Sequence, residues 1–184
     1  MELELRLIDN TIDFRSFHCT QKNGEEPLTR FLSEHALDNQ KKRLSVTWLA
    51  LDKGEVAGYF SLSAASISIS HISKQDKRHY PNYEYFPAIL IGKFAVDDRY
   101  RGQGVGKWMM KNILTIVLHT GKHIGCCYLM VESKEESAGY YEDVLRFKPV
   151  SRLESGHLLM TRKLELAGDL YIRSNPLRLQ QHPM

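Results

Sequence analysis

The stretch ILIGKFAVDDRYRGQGVGKWMMKNILTIVLHT, Ile89 to Thr120, decides the fold. It reads as a buried strand, a short glycine-rich turn and a long helix opening directly out of that turn. Leu90, Ile91, Phe94, Ala95 and Val96 form an apolar run broken only by Gly92 and Lys93, as in a central strand. Asp97 and Asp98 end it. Gly102, Gly104 and Gly106 alternate through the turn between Arg101 and Lys107, and without a Cβ they let backbone approach a ligand closely. From Val105 the apolar positions Trp108, Met109, Ile113, Ile116 and Val117 follow a helical stripe, with Lys107 and Lys111 on the other side. Such a turn presents unpaired backbone N–H groups, and the helix adds about half a positive charge at its start. Together they make a seat for an anion, most naturally a phosphate or diphosphate. A plain strand-to-helix turn with no ligand has the same local pattern.

Two named phosphate loops are excluded. A Walker loop needs Ser or Thr after Gly-Lys, and Gly106-Lys107 is followed by Trp108. A dinucleotide fingerprint needs Gly-x-Gly-x-x-Gly, and these glycines alternate without the final gap. The loop resembles instead the acetyl-CoA loop of the GNAT acetyltransferase superfamily. That signature is Gln or Arg, two residues, Gly, one residue, then Gly or Ala, and Arg101, Gly104 and Gly106 fill it. Phe94-Ala95-Val96-Asp97 before it, and Val105 and Trp108 after it, also look like the family.

The resemblance implies an α+β fold with a central mixed, mostly antiparallel sheet and helices on both faces. It spans about Leu3 to Leu164, so residues 1–164 are expected to form the acetyltransferase domain and 165–184 a C-terminal tail. It implies acetyl-CoA as cosubstrate and no metal. Residues Phe94, Ala95 and Val96 would pair with the pantetheine arm, and the N–H of Phe94 or Ala95 would stabilise the oxyanion. Arg101, Gly102, Gln103, Gly104, Val105, Gly106 and Lys107 would hold the diphosphate. Ser137-Ala138-Gly139-Tyr140-Tyr141-Glu142 resembles the family's Ala-x-x-Phe-Tyr-Glu. That places the acid for the leaving thiolate at Tyr141 and a packing aromatic at Tyr140. Tyr140 as the acid, or both as packing residues, stays open, because the family's Gly-Phe is replaced by Arg146-Phe147 with one extra residue.

The rest of the chain agrees. Leu3, Leu5 and Leu7 alternate with Glu2, Glu4 and Arg6 as a first strand. Residues 9–26 are mixed, with Phe14 and Phe17 on one short helical face. A helix is expected from Pro27 to about Asn39. Val46 to Ala50 and Val56 to Ala64 read as strands joined by a Lys53-Gly54 hairpin turn. Residues 73–87 read as the longest loop. Cys126 to Val131 reads as a buried strand, Glu135 to Leu145 as a helix, and Lys148 to Leu153 with His157 to Leu164 as a closing hairpin.

The 184 residues carry 42% hydrophobic and 26% charged side chains, and a net charge of +3. The size suits one domain. The charge tolerates an anionic ligand without demanding nucleic acid. Neither a membrane-length apolar run nor a signal peptide is apparent, so a cytoplasmic protein is expected. Cys19, Cys126 and Cys127 are odd in number and suit a reduced compartment, not a disulfide framework. No cysteine–histidine spacing points to zinc.

The general base is not legible. Glu84, Glu132, Asp97 and Asp98, with His71 and His79, each fit a solvated, capping or packing role at least as well. A free α-amine titrates near pH 8 and a lysine amine near 10.4, so an enzyme without an obvious base leans towards an α-amine acceptor. Shorter pieces resemble the GNAT toxins of toxin–antitoxin modules, which acetylate the amino group of aminoacyl-tRNA. These are Phe31-Leu32, Ala36-Leu37, Asn39-Gln40, Val56 to Ser63, Ile91 to Asp97 and the tyrosine pair. This branch implies an aminoacyl-tRNA acceptor and an antitoxin partner, and leaves a homodimer open. Lys41, Lys42, Arg43, Lys74, Lys77, Arg78 and Lys93 would then meet tRNA phosphates, or simply form a solvated basic face. Two alternatives stand beside it: a GNAT enzyme for a small amine, polyamine or protein amine, and a catalytically silent acyl-CoA-binding module.

Overall fold

The computed structural model describes residues 1–164 except Lys22, Tyr80 and Pro81. The expected tail, 165–184, lies outside the described residues. Among them, seven strands form one sheet in the order β1-β2-β3-β4-β5-β7-β6. The strands are β1 (Leu3–Leu7), β2 (Val46–Asp52), β3 (Glu55–Ser68), β4 (Tyr85–Val96), β5 (Tyr128–Ser133), β6 (Lys148–Arg152) and β7 (Leu158–Lys163). Only the β4–β5 pair is parallel; its neighbours are antiparallel. The expected mixed, mostly antiparallel sheet is therefore observed.

Helices cover both faces. On one lies α4 (Val105–Thr120), whose Val105, Met109, Met110, Ile113, Leu114 and Val117 are buried against Phe60, Leu62, Ile91, Leu129 and Val131. The apolar face is wider than the stripe read from sequence, because Met110 and Leu114 join it. On the other face lie α1 (Pro27–Glu34) and α2 (Ala36–Lys41), packed through Leu32 and Ala36 onto Leu49, Tyr59 and Ala95. These were expected as one helix; the backbone breaks at His35, with φ −122° and ψ −28°. Lys53 and Gly54 both take positive φ, 51° and 88°, as a tight hairpin turn with strand-matched twist requires.

Three expectations are corrected. The described residues of 9–26 form turns and irregular backbone, not a helical face, although Phe17 is fully buried. The region 73–87 is not a loop throughout: α3 spans Lys74–His79 and β4 begins at Tyr85. Buried Asp76 anchors α3, accepting from Ser73 Oγ (2.8 Å) and Tyr128 Oη (3.0 Å) and pairing with Lys163. The strand expected from Cys126 starts instead at Tyr128.

Gly58 sets how closely β3, β4 and α4 approach. A Cβ there would stand 2.9 Å from the Ala95 carbonyl oxygen and 3.1 Å from Met109 Sδ. The first neighbour is backbone and cannot swing away. Gly58→Ala is expected to destabilise the protein by about 1–3 kcal/mol through overpacking. A denaturant melt checks this: the midpoint falls at unchanged slope.

Candidate active site

The site begins at a fault in the sheet. β4 pairs with β5 only from Ala88↔Tyr128 to Ile91↔Val131. On its other side β4 is in register with β3 until Leu62↔Ile91, then resumes at Ser61↔Lys93, so Gly92 is an extra, bulged residue. A bulge bends its strand and increases its twist. Past it, Lys93 to Val96 keep their β3 partners but have no β5 partner. Alternate N–H and C=O groups of an antiparallel strand point away from its neighbour, so this edge of β4 is open to a strand-like ligand.

The opening is a cavity of about 810 Å³. Phe94, Ala95 and Val96 line it, as do Arg101, Gly102, Gly104, Val105, Gly106 and Lys107, and Tyr140 and Tyr141. Of the residues expected at the cofactor, Gln103 alone is not on the wall: its side chain is turned to the Arg99 carbonyl (2.7 Å). Gly104 sits at the N-terminus of α4 with φ 88° and open space where a Cβ would stand. No side chain caps this helix. The leading N–H groups of α4 are thus left to the cavity, as an anion seat needs. Lys107, in the first helical turn, adds an exposed cation. These features fit the diphosphate and extended arm of acetyl-CoA.

Arg101 lines the cavity and also makes contacts within the protein. Its guanidinium pairs with Asp98 (2.6 Å) and donates to the Thr20 carbonyl (2.6 Å). It ties the loop to a segment that sequence reasoning missed, His18 to Gln21. The His18 N–H donates to Asp97 Oδ2 (3.0 Å), the Thr20 N–H reaches Asp98, and Lys134, just before the helix that begins at Glu135, donates to Gln21 Oε1. The segment therefore straps the β4–α4 loop to the far side of the cleft, and Cys19, Thr20 and Gln21 line the cavity. Nothing local marks it, since its partners lie about eighty residues away.

Tyr141 stands at the neck of the splay. It is 8% exposed, its ring packed against Phe94 (6.2 Å between centroids) and edge-on to Phe147 (5.7 Å). Burial, with a smaller contribution from Tyr140, raises its phenol above the ordinary 10.0. No described residue hydrogen-bonds its hydroxyl, which is not among the sealed, unpartnered polar atoms. It is a neutral donor facing the cavity.

The extra residue before Phe147 also has its explanation. The helix that starts as α5 (Glu135–Gly139) widens into a π-helix over Tyr140–Val144. One additional residue is absorbed there, as π-bulges do. The Phe147 N–H closes onto the Tyr141 carbonyl (2.9 Å), and Arg146 takes φ 62° where the family places glycine.

The candidate bases separate cleanly. Asp97 is fully buried; burial raises its pKa, but bonds from Arg99 (2.9 Å) and the backbone outweigh that, and the net shift is downward. It caps the turn. Asp98 holds Thr20 and Arg101. Glu84 and His71 do not line the cavity, and the side chain of His79 lies outside the described residues. Glu132 does line it, together with Glu136 and His157, which sequence reasoning did not single out. Among the described residues no cluster of three or more His, Cys, Asp or Glu could hold a metal ion. None of their helices is long and apolar enough to cross a membrane.

A splayed parallel pair beside an uncapped, glycine-led helix defines a class: acyl-CoA-dependent acyltransferases. A model of the acetyltransferase (GNAT) family matches residues 12–147, and the chain belongs to that family. It is an acetyl-CoA-dependent N-acetyltransferase. A curated relative, the tRNA-acetylating toxin of Mycobacterium tuberculosis, is 24% identical over 158 residues, 86% of this chain and 91% of the relative. Among solved structures, the toxin AtaT complexed with acetyl-methionyl-tRNAfMet superposes with a TM-score of 0.73 at 20% identity, covering 86% of this chain and 94% of that one. A tyrosine-to-phenylalanine mutant of AtaT, bound to the C-terminus of the antitoxin AtaR and acetyl-CoA, gives 0.70 at 20% identity, covering 93% and 98%. The fold is thus that of GNAT toxins of toxin–antitoxin modules.

Proposed function

We propose that this enzyme acetylates the α-amino group of aminoacyl-tRNA. The observation that carries the reading is a cavity running between two differently built walls. One is the uncapped start of α4. The other, on the α1 side, holds Lys93, whose ammonium lies 5.3 Å above the Phe31 ring. The similarity to tRNA-acetylating toxins supports the same acceptor.

In this reading Gly102, Gly104, Val105, Gly106 and Lys107 hold the diphosphate, and Arg101 and Gln103 shape the loop. The free edge of Phe94, Ala95 and Val96 pairs with the pantetheine arm. The amine nitrogen attacks the thioester carbonyl, and the N–H of Phe94 or Ala95 stabilises the oxyanion. The C–N bond forms, the C–S bond breaks, the departing sulfur takes its proton from Tyr141, the amine loses one to water, and Tyr141 regains a proton from water. Asp97 and Asp98 are already engaged by Arg99, Arg101 and Thr20, which suits an α-amine that titrates near pH 8 and needs less help from a base than a lysine amine. Lys41, Lys42, Arg43, Lys74, Lys77, Arg78 and Lys93 meet tRNA phosphates, and acetylation of charged tRNA should then weaken steeply between 50 and 200 mM salt. An antitoxin partner and a homodimer belong to the same proposal, as does residues 1–164 acting as one domain.

A second reading draws on Glu132 and Glu136, two carboxylates on the cavity wall suited to a polycationic amine acceptor. Expression in a bacterial host separates the two. The tRNA reading expects growth to stop, and Tyr141→Phe to relieve the arrest. Unimpeded growth with active enzyme present would favour the polyamine reading.

A further inference from the structure

We infer that Tyr140 is a cofactor-positioning residue whose phenol hydroxyl donates a hydrogen bond to the diphosphate of acetyl-CoA at the start of α4. This rests on the reading of the 101–107 loop as the acetyl-CoA seat. In that reading the tyrosine pair divides its work, Tyr141 serving the sulfur and Tyr140 the anion.

The placement of Tyr140 is specific. It is 38% exposed and lines the cavity, with its ring edge-on to Tyr141 at 6.1 Å between centroids. Its hydroxyl lies so close over Gly106 that a Cβ there would collide with it, and would come within 3.3 Å of its Cζ. Gly106 thus makes room for this hydroxyl at the first turn of α4. No described residue bonds the hydroxyl, and no side chain caps the helix beside it. An unpartnered O–H and the leading N–H groups of α4 therefore converge on the same region. Phenylalanine would fill the space equally well; the oxygen is what tyrosine adds. Burial raises the phenol above its ordinary 10.0, so at neutral pH the hydroxyl is a donor. Both neighbours line the cavity. The pair opens the π-turn over Tyr140–Val144, with Tyr140 over Gly106 of α4 and Tyr141 against Phe94 and Phe147.

The test measures binding of CoA and of adenosine 3′,5′-bisphosphate, which lacks the diphosphate, by titration calorimetry on the full chain. Tyr140→Phe should weaken CoA about tenfold, as loss of a bond to a charged group does. It should move the bisphosphate less than twofold. Tyr140→Leu, which also lacks the oxygen, should weaken CoA at least as much as Tyr140→Phe while leaving the bisphosphate within about twofold of wild type, and serves if the phenylalanine variant fails to fold. Unchanged or tighter CoA binding by Tyr140→Phe would overturn the assignment. Equal losses for both probes would also overturn it, since they would mark a packing role. Wild-type protein that binds no CoA would speak against the seat itself, not against Tyr140.

Discussion

Tyr141→Phe is expected to lower kcat by about 100-fold or more, the usual scale for removing a positioned general acid. The substitution deletes one oxygen and little else. The ring keeps its contacts with Phe94 and Phe147, and the lost hydroxyl has no bonded partner among the described residues, so the melting temperature should hardly move. Affinity for acetyl-CoA should hold as well, because the interaction develops only as the thiolate forms. The pH profile gives an independent reading. Burial raises the phenol above 10.0, so wild-type activity should show no loss from deprotonation of this group below pH 10. A rate unchanged in Tyr141→Phe but reduced about 100-fold in Tyr140→Phe would reassign the acid to Tyr140.

The second large effect is on binding. Gly104→Val should weaken acetyl-CoA at least about 100-fold while the protein stays folded. Gly104 has φ 88°, so valine there costs on the order of 1–2 kcal/mol in backbone strain. That is a tolerable fraction of a domain's stability. A Cβ there would meet no protein atom within 4 Å beyond its own chain neighbours, at the uncapped start of α4. The damage therefore falls on the ligand. Calorimetry with CoA, paired with circular dichroism, separates the effects. Wild-type affinity in a folded variant would remove the loop from the cofactor site.

What was legible in the sequence is what local physics writes. The strand–turn–helix of Ile89–Thr120 carries its own periodicity and its own glycines, and α4 runs as expected to Thr120. The tyrosine pair was visible as a motif, and its irregular ending as a missing glycine and an extra residue. How that irregularity resolves was not, because a π-turn and a left-handed Arg146 depend on where Phe147 is buried. The Gly92 bulge depends on pairing with β3, and the His18–Gln21 strap on Asp97, Asp98 and Lys134. The helix at Lys74–His79 was hidden because a short polar segment shows no stripe; its anchor, Asp76, is held by Tyr128 and Lys163 from distant strands. The start of β4 lies inside the stretch read as a loop; Pro87 lacks an N–H, yet the strand keeps it, with its carbonyl accepting from the Cys127 N–H at 2.9 Å.

The most direct measurement is transfer of labelled acetyl from acetyl-CoA to charged total tRNA, with polyamines and a lysine peptide run in parallel. The label should appear on charged tRNA, be absent when the tRNA is deacylated beforehand, and fall about 100-fold with Tyr141→Phe. Label on the amines and none on charged tRNA would contradict the acceptor proposed for this enzyme.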